Sequence, residues 1–361
     1  MSADAERLAR EAFDGFRDPV LGEELASALG APEISAQDGR VRMALTLGFP
    51  AKRQGRRIAR ELERRLQSVA GIDAADVSVE TRIEPHQTQA NVQRLQSVKN
   101  IIAVSSAKGG VGKSTVASNL ALALVSEGAS VGMLDADIYG PSQPRMLGVS
   151  GRPDSLDGEA IEPMRSYGIE SISVGYLIDD DEPMIWRGPM VTRAMQQLLN
   201  DTRWGDLDYL IVDMPPGTGD IQLTLSQQVP VAGAVIVTTP QDIATLDARK
   251  GLQMFRKVNV PVLGIVENMS LHVCSNCGHR EHIFGAGGGE RIAEEYGVPL
   301  LGQLPLDTSI GKNADGGCPS VVAEPDGEVA RTFVEIATRM AAKLSLQAAD
   351  YTHRMPKILI R

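Results

Sequence analysis

The chain has 361 residues, 43% hydrophobic and 23% charged, with a net charge of −10 and only 3 cysteines, enough for two domains of which one buries a sizeable core. The acidic balance argues against a nucleic-acid partner held on a basic face, and no apolar run approaches the ~20 residues that span a bilayer. So few thiols exclude a disulfide scaffold, and the opening Met1-Ser2-Ala3-Asp4-Ala5-Glu6-Arg7 is no signal peptide, so a cytoplasmic protein with no membrane and no nucleic-acid partner is expected.

Residues 1–85 read as a small α+β domain in the order helix, strand, strand, helix, strand. Val41 to Leu47 and Val77 to Thr81 alternate as half-buried strands do. Between them Ile58, Leu62, Leu66 and Val69 share one face of a helix over 56–69. The basic stretch Lys52-Arg53-Gln54-Gly55-Arg56-Arg57 suits a solvated helix start, with an acidic partner as the alternative. Residues 86–100, polar and rich in Gln and Asn, read as a linker.

From 101 to 347, short apolar runs alternate with helix-length segments. The runs 101–105, 130–134, 209–212, 234–238, 262–266 and 300–304 are near-continuously apolar, as strands covered on both faces must be. They predict an α/β domain with a mostly parallel, doubly wound sheet. A helix over 327–346 closes it, and residues 348–361 form a short tail broken by Pro356.

Ser106-Ala107-Lys108-Gly109-Gly110-Val111-Gly112-Lys113-Ser114-Thr115 joins the first of these strands to a helix. Strand, glycine-rich turn and helix is the setting of a phosphate-binding loop. Glycines let backbone N–H groups approach phosphates, and the helix N-terminus adds partial positive charge. Lys113 then reaches the β/γ-phosphates and the Ser114 hydroxyl ligates Mg²⁺. Ala107 stands where the general pattern has its first glycine. Asp135 and Asp137 end one strand and Asp213 another, in Walker B form, where it holds Mg²⁺ through water. The stiff turn Pro215 to Asp220 suits a γ-phosphate sensor, and Asn268 follows the strand 262–266. Each acid alone reads equally as a helix cap; their order favours a nucleotide site.

The pair Cys274-Ser275-Asn276-Cys277 admits three readings. A redox dithiol needs a thioredoxin-like βαβ setting, absent here. Zinc with His279 and His282 packs four ligands into nine consecutive positions, which strains a tetrahedron. Half a site is the third: two thiolates per chain become four across a two-fold axis, the Cys₄ count of a [4Fe–4S] cluster. Cys318 reads as a small buried apolar residue.

The run Lys108-Gly109-Gly110-Val111-Gly112-Lys113-Ser114 resembles the deviant phosphate loop of the MinD/ParA/nitrogenase-iron-protein superfamily, whose members form nucleotide sandwich dimers. The resemblance implies a homodimer in which Lys108 reaches across to the facing subunit. Lys108, Lys113 and Asp137 are then catalytic, with Asp137 orienting the attacking water. Lys108, Gly109, Gly110, Val111, Gly112, Lys113, Ser114 and Thr115 hold ATP, and Asn268 reads adenine. Ser114, Asp135 and Asp213 surround Mg²⁺.

More narrowly, Val266 to Ser270, Cys274-x-x-Cys277-Gly278-His279, Ile283 to Gly285, Gly287 to Gly289, Trp186 to Met190 and Asp213 to Asp220 resemble the Mrp/ApbC iron–sulfur cluster carriers. That resemblance implies a labile [4Fe–4S] cluster held by Cys274 and Cys277 of two protomers. It is handed to apo-proteins with ATP hydrolysis, with a cluster-assembly scaffold as a further partner, and His279 and His282 are not ligands. Asp18 to Gly22 and the order of elements resemble the PaaD-like domain in front of such ATPases. Gly48-Phe49-Pro50-Ala51 replaces that domain's cysteine turn, so an accessory or docking role is expected. The rivals are a MinD/ParA-like spatial-organising ATPase and a zinc-binding regulatory ATPase.

Overall fold

The structure, a computed structural model, describes residues 2–89, 92–155, 158–178, 188–274 and 276–350. Trp186 and Arg187, Ser275 between the paired cysteines, and the tail from Tyr351 with its Pro356 lie outside the described residues. No helix among the described residues is long and apolar enough to cross a membrane.

The N-terminal unit follows the expected order: α1 (Ser2–Asp14), β1 (Glu33–Gln37), β2 (Arg40–Leu47), α2 (Lys52–Gln67) and β3 (Ala74–Thr81). Central β2 runs antiparallel to β1 and parallel to β3. Its alternation buries Val41, Met43, Leu45 and Leu47 in the same core as Ile58, Leu62 and Leu66 of α2.

The larger unit begins with β4 (Val98–Ser105), α3 (Lys113–Ser126), β5 (Val131–Asp135) and α4 (Gln143–Met146). It continues through β6 (Met164–Ser166), β7 (Ile169–Ser173), α5 (Gly188–Asn200), β8 (Leu207–Asp213), α6 (Asp220–Gln228), β9 (Val231–Thr238), α7 (Asp242–Lys257) and β10 (Val262–Glu267). The small hairpin β11 (His272–Val273) and β12 (Arg280–Glu281) precedes α8 (Gly288–Tyr296) and β13 (Leu300–Gln303). Helices α9 (Thr308–Asp315), α10 (Ser320–Ala323) and α11 (Glu328–Ser345) close the chain. Eight strands form one sheet in the order β13-β10-β9-β4-β8-β5-β7-β6, parallel throughout except at β6. All six apolar runs lie in it as parallel strands.

Two strands of this sheet, β6 and β7, escaped the sequence, and the start of a third was misplaced. Ile169-Glu170-Ser171-Ile172-Ser173 carries three polar residues, yet Ser171 and Ser173 are buried with hydroxyls paired to Tyr176 and Asp135. Likewise β4 starts at Val98, inside the stretch read as linker. Its Asn100 is buried because its carboxamide meets the His86 N–H and the Glu84 carbonyl.

Side chains of the sheet point alternately to two cores. On one face Ile102, Val104, Met133 and Ile211 pack with α3, α11 and the N-terminal unit. On the other Ala103, Leu134, Leu210 and Ile236 pack with residues of α5, α7 and α8. The N-terminal unit is fixed to the first face by more than apolar contact. Buried Glu127, just after α3, accepts the backbone N–H groups of Arg53 and Gln54 at 2.9 and 3.2 Å, and its carbonyl accepts that of Lys52 at 3.0 Å. The helix in residues read as a solvated start is thus capped by the other unit. Phe49 of the Gly48-Phe49 turn is buried too, and a Cβ on half-buried Gly48 would lie 2.8 Å from the Ser345 Cβ of α11.

Candidate functional site

Strand order reverses around β4, with β8 and β5 on one side and β9 and β10 on the other. Crevices at the carboxyl ends of strands at such a switch point are where open α/β sheets bind ligands. The glycine-rich loop leaves β4 at that point and enters α3. Gly110 at φ +81° and Gly112 at φ +83° adopt the left-handed conformation that favours glycine. The Ser106 hydroxyl donates to the Lys108 carbonyl at 2.9 Å, and the Ser106 carbonyl accepts the Gly217 N–H at 2.9 Å. The loop is therefore tied to the turn over 215–220, where the Gln222 carboxamide in turn donates to the Pro216 carbonyl at 2.6 Å.

Beneath the loop lies a concentrated set of charges. Lys113 is buried and pairs with Asp213, reaches the Ser114 hydroxyl at 3.1 Å, and stands 3.6 Å from Asp137. Asp135, Asp137 and Asp213 are all buried, so three carboxylates share one lysine. Burial, and then the neighbouring Asp213 charge, push the Asp135 carboxyl up to about 7. Burial also raises Asp137, against the pull of Lys113. An oxygen-rich pocket short of positive charge suits Mg²⁺.

The members of this set hold different positions. Asp135 is engaged on both oxygens: Asp137 N–H on one, and Ser142 N–H, Gln143 N–H and the Ser173 hydroxyl on the other. Asp213 accepts from Lys113 and, at 2.8 Å, from the Gln143 carboxamide, which also donates to the Ser114 carbonyl at 3.1 Å. Gln143 escaped sequence reading, since a lone Gln in a polar turn carries no motif; its one signal is its place shortly after Asp135. Thr115 sits in the first turn of α3, and Asn268 docks on the loop through the Val111 carbonyl. Lys108 is exposed and makes no ion pair with the described residues.

Six residues beyond Asn268 the chain reaches Cys274, at the end of β11, with Cys277 on the turn to β12. The Cys274 N–H donates to the His279 carbonyl at 2.9 Å, and the Gly278 N–H to the Cys274 carbonyl at 2.8 Å. Backbone N–H groups of Asn276 and Cys277, and then the Cys277 thiol, hold the Cys274 thiol below the usual range. Cys277 is exposed and Cys274 half-buried. His279 is exposed, and His282 turns its Nδ1 to the Ser270 carbonyl at 2.7 Å. Among the described residues no group of three or more His, Cys, Asp or Glu side chains converges as for a metal ion. Cys318, expected to be buried, is only half-buried, because it lies beside the Tyr167 hydroxyl at the edge of α9.

A phosphate loop with a second lysine, on a parallel sheet ending in buried carboxylates, defines a P-loop NTPase of the MinD/ParA type. The match over residues 97–341 is to the family described as NUBPL iron-transfer P-loop NTPase, and the chain belongs to that family. Residues 8–79 match a second family, described as iron–sulfur cluster assembly protein. An iron–sulfur cluster carrier protein of Pseudomonas fragi is 57% identical over 76% of this chain and 97% of its own length. One from Escherichia coli (strain K12) is 50% identical over 92% of this chain and 90% of its own. Among solved structures, a nucleotide-binding protein from Archaeoglobus fulgidus in complex with ADP is 38% identical, with a TM-score of 0.57. That match covers 65% of this chain and 92% of the other.

Proposed function

We propose that this chain carries a [4Fe–4S] cluster as cargo, held between two copies of itself, and uses ATP with Mg²⁺ to control its release to apo-proteins. Lys113 and the backbone of 108–115 hold the phosphates; Ser114 and Asp213 hold Mg²⁺, with Asp135 shaping the loop around it; Asp137 orients the attacking water. Lys108, exposed at the rim, serves the facing subunit's nucleotide, and Asn268 faces the base. A cluster-assembly scaffold supplies the cargo.

One observation carries the reading: two thiols, one of them lowered in pKa by neighbouring backbone N–H groups, sit together on a small hairpin with no third donor beside them among the described residues. Two chains related by a two-fold axis supply the four sulfurs that such a cluster takes. That relatives at 50–57% identity are named iron–sulfur cluster carriers supports the same conclusion.

The test is anaerobic reconstitution with iron and sulfide, read by metal analysis and light scattering. About four irons per two chains, on a dimer, are expected, and none on the Cys274→Ala, Cys277→Ala double variant. Full loading of that variant, or stoichiometric iron on a strict monomer, overturns the proposal. Zinc in place of iron after oxygen-free isolation would favour the regulatory reading instead.

A further inference from the structure

Where β10 ends, one side chain touches the phosphate loop and begins the segment that carries the thiols. Asn268 is buried; its Nδ2 donates to the Val111 carbonyl at 2.9 Å and its Oδ1 accepts the Met269 N–H at 3.0 Å. The carboxamide fits so closely that a Cβ on Gly112 would lie 2.3 Å from its Nδ2. Gly112 is also the N-cap of α3, so the contact bears on the residue that starts the phosphate-facing helix. Met269, next in the chain, sits at φ +57°. A side-chain-bearing residue keeps that left-handed conformation only where surrounding contacts impose it.

Beyond Met269 the chain is braced. The Ser270 N–H and hydroxyl donate to the Leu304 carbonyl at 2.9 and 3.0 Å, and the Leu306 N–H donates to the Leu271 carbonyl at 2.9 Å. His272 Nδ1 lies 3.0 Å from the Leu306 carbonyl, and His282 Nδ1 ties the returning strand to Ser270. The segment from Asn268 to β11 is therefore a strut whose far end is Cys274. Ser270, Leu271, His272 and Val273 are each held to a neighbouring segment, which favours passing a shift at Asn268 along the strut over absorbing it.

A carboxamide offers two donor hydrogens and two acceptor lone pairs. Asn268 uses one of each here, so one of each is left for a nucleotide. We propose that Asn268 is the positioning residue through which nucleotide occupancy sets the placement of Cys274 and Cys277: engaged by nucleotide, it changes its hold on Val111, and the strut carries that change to the thiols. The inference rests on the nucleotide and cluster reading above, and adds to it the route between the two sites.

The experiment uses the full, cluster-free chain. Alkylation of Cys274 and Cys277 by iodoacetamide is followed by peptide mass spectrometry with and without Mg²⁺-ADP, with Cys318 as the internal reference. Binding of a fluorescent ADP analogue is measured in parallel. In the unaltered chain, ADP should change the rates at Cys274 and Cys277 about fivefold or more, the lower end of measured site-to-site coupling, and leave Cys318 alone. Asn268→Ala should bind the analogue more weakly, having lost a contact to the nucleotide, and at ADP concentrations that saturate it should bring the rates with and without ADP within about twofold of each other. Asn268→Asp keeps an acceptor for the Met269 N–H and the side-chain shape, but puts a carboxylate oxygen where Nδ2 donates to Val111. The same loss of response there places the effect on Nδ2 rather than on a disturbed turn. An undiminished response in both variants while they bind the analogue, or no response in the unaltered chain, overturns the link. No analogue binding to the unaltered chain would sink the nucleotide reading itself, and the link with it.

Discussion

The phosphate loop and the cysteine hairpin lie in one domain but are built on opposite plans. Around Lys113 the charged groups are buried, cross-braced by Gln143 and Asp213, and fixed by backbone donors before any ligand arrives. Around Cys274 the strands are two residues long, Cys277 is exposed, and Val273 and Ile283 leave apolar surface at 45% and 50% exposure. A preorganised, low-dielectric site suits chemistry repeated on the same groups. An exposed pair of soft donors suits something held briefly and completed by another copy.

The two regions should separate under mutation. Lys113→Met removes the cation opposite three carboxylates. Phosphate release from ATP should fall at least ~100-fold, while nucleotide-free alkylation of Cys274 stays within about twofold; a large change at Cys274 without nucleotide would break the separation. Cys277→Ser works from the other side: iron retained after gel filtration should drop about tenfold or more, since two of the four thiolates of a Cys₄ cluster shared by two chains are lost, with ATP turnover little altered. Gly112→Ala strains a left-handed position and drives a methyl into Asn268, so it should cost about 1–3 kcal/mol, read by denaturant unfolding, and weaken ADP binding as well.

Two smaller effects sharpen the contrast. The Asp135 carboxyl stands at about 7 in the fold against an ordinary 3.8. Its contribution to stability is thus complete below 3.8 and is lost as pH rises through about 7. The nucleotide-free protein should lose stability across that window, and Asp135→Asn should flatten the slope whatever it does to the level; melting curves at several pH values decide it. Smallest, Glu127→Ala removes the acceptor that caps α2 and should cost about 1 kcal/mol, without changing iron retention.

Much of this was written in the sequence because it is local. The glycine loop, the strand-end acids and the paired cysteines each occupy a few consecutive residues whose chemistry is readable before folding. The six parallel strands announced themselves because burial on both faces demands unbroken apolar runs. What stayed hidden depends on residues far apart in the chain. Gln143 matters only because Ser114 and Asp213 converge on it, and Glu127 only because α2 begins against it. The strand Ile169–Ser173 hid behind its serines, one of which finds its partner in Asp135 at the end of another strand. Val98 to Asn100 passed for linker for the same reason: a buried Asn looks exposed until its bonds are counted.

Helix α3 begins with Lys113 and hands over at its far end to Glu127, on which the backbone of α2 hangs. Fourteen residues of helix make a rod about 21 Å long. A protein that grasps the amino-terminal unit is therefore leaning on a lever whose other tip lies in the glycine-rich loop.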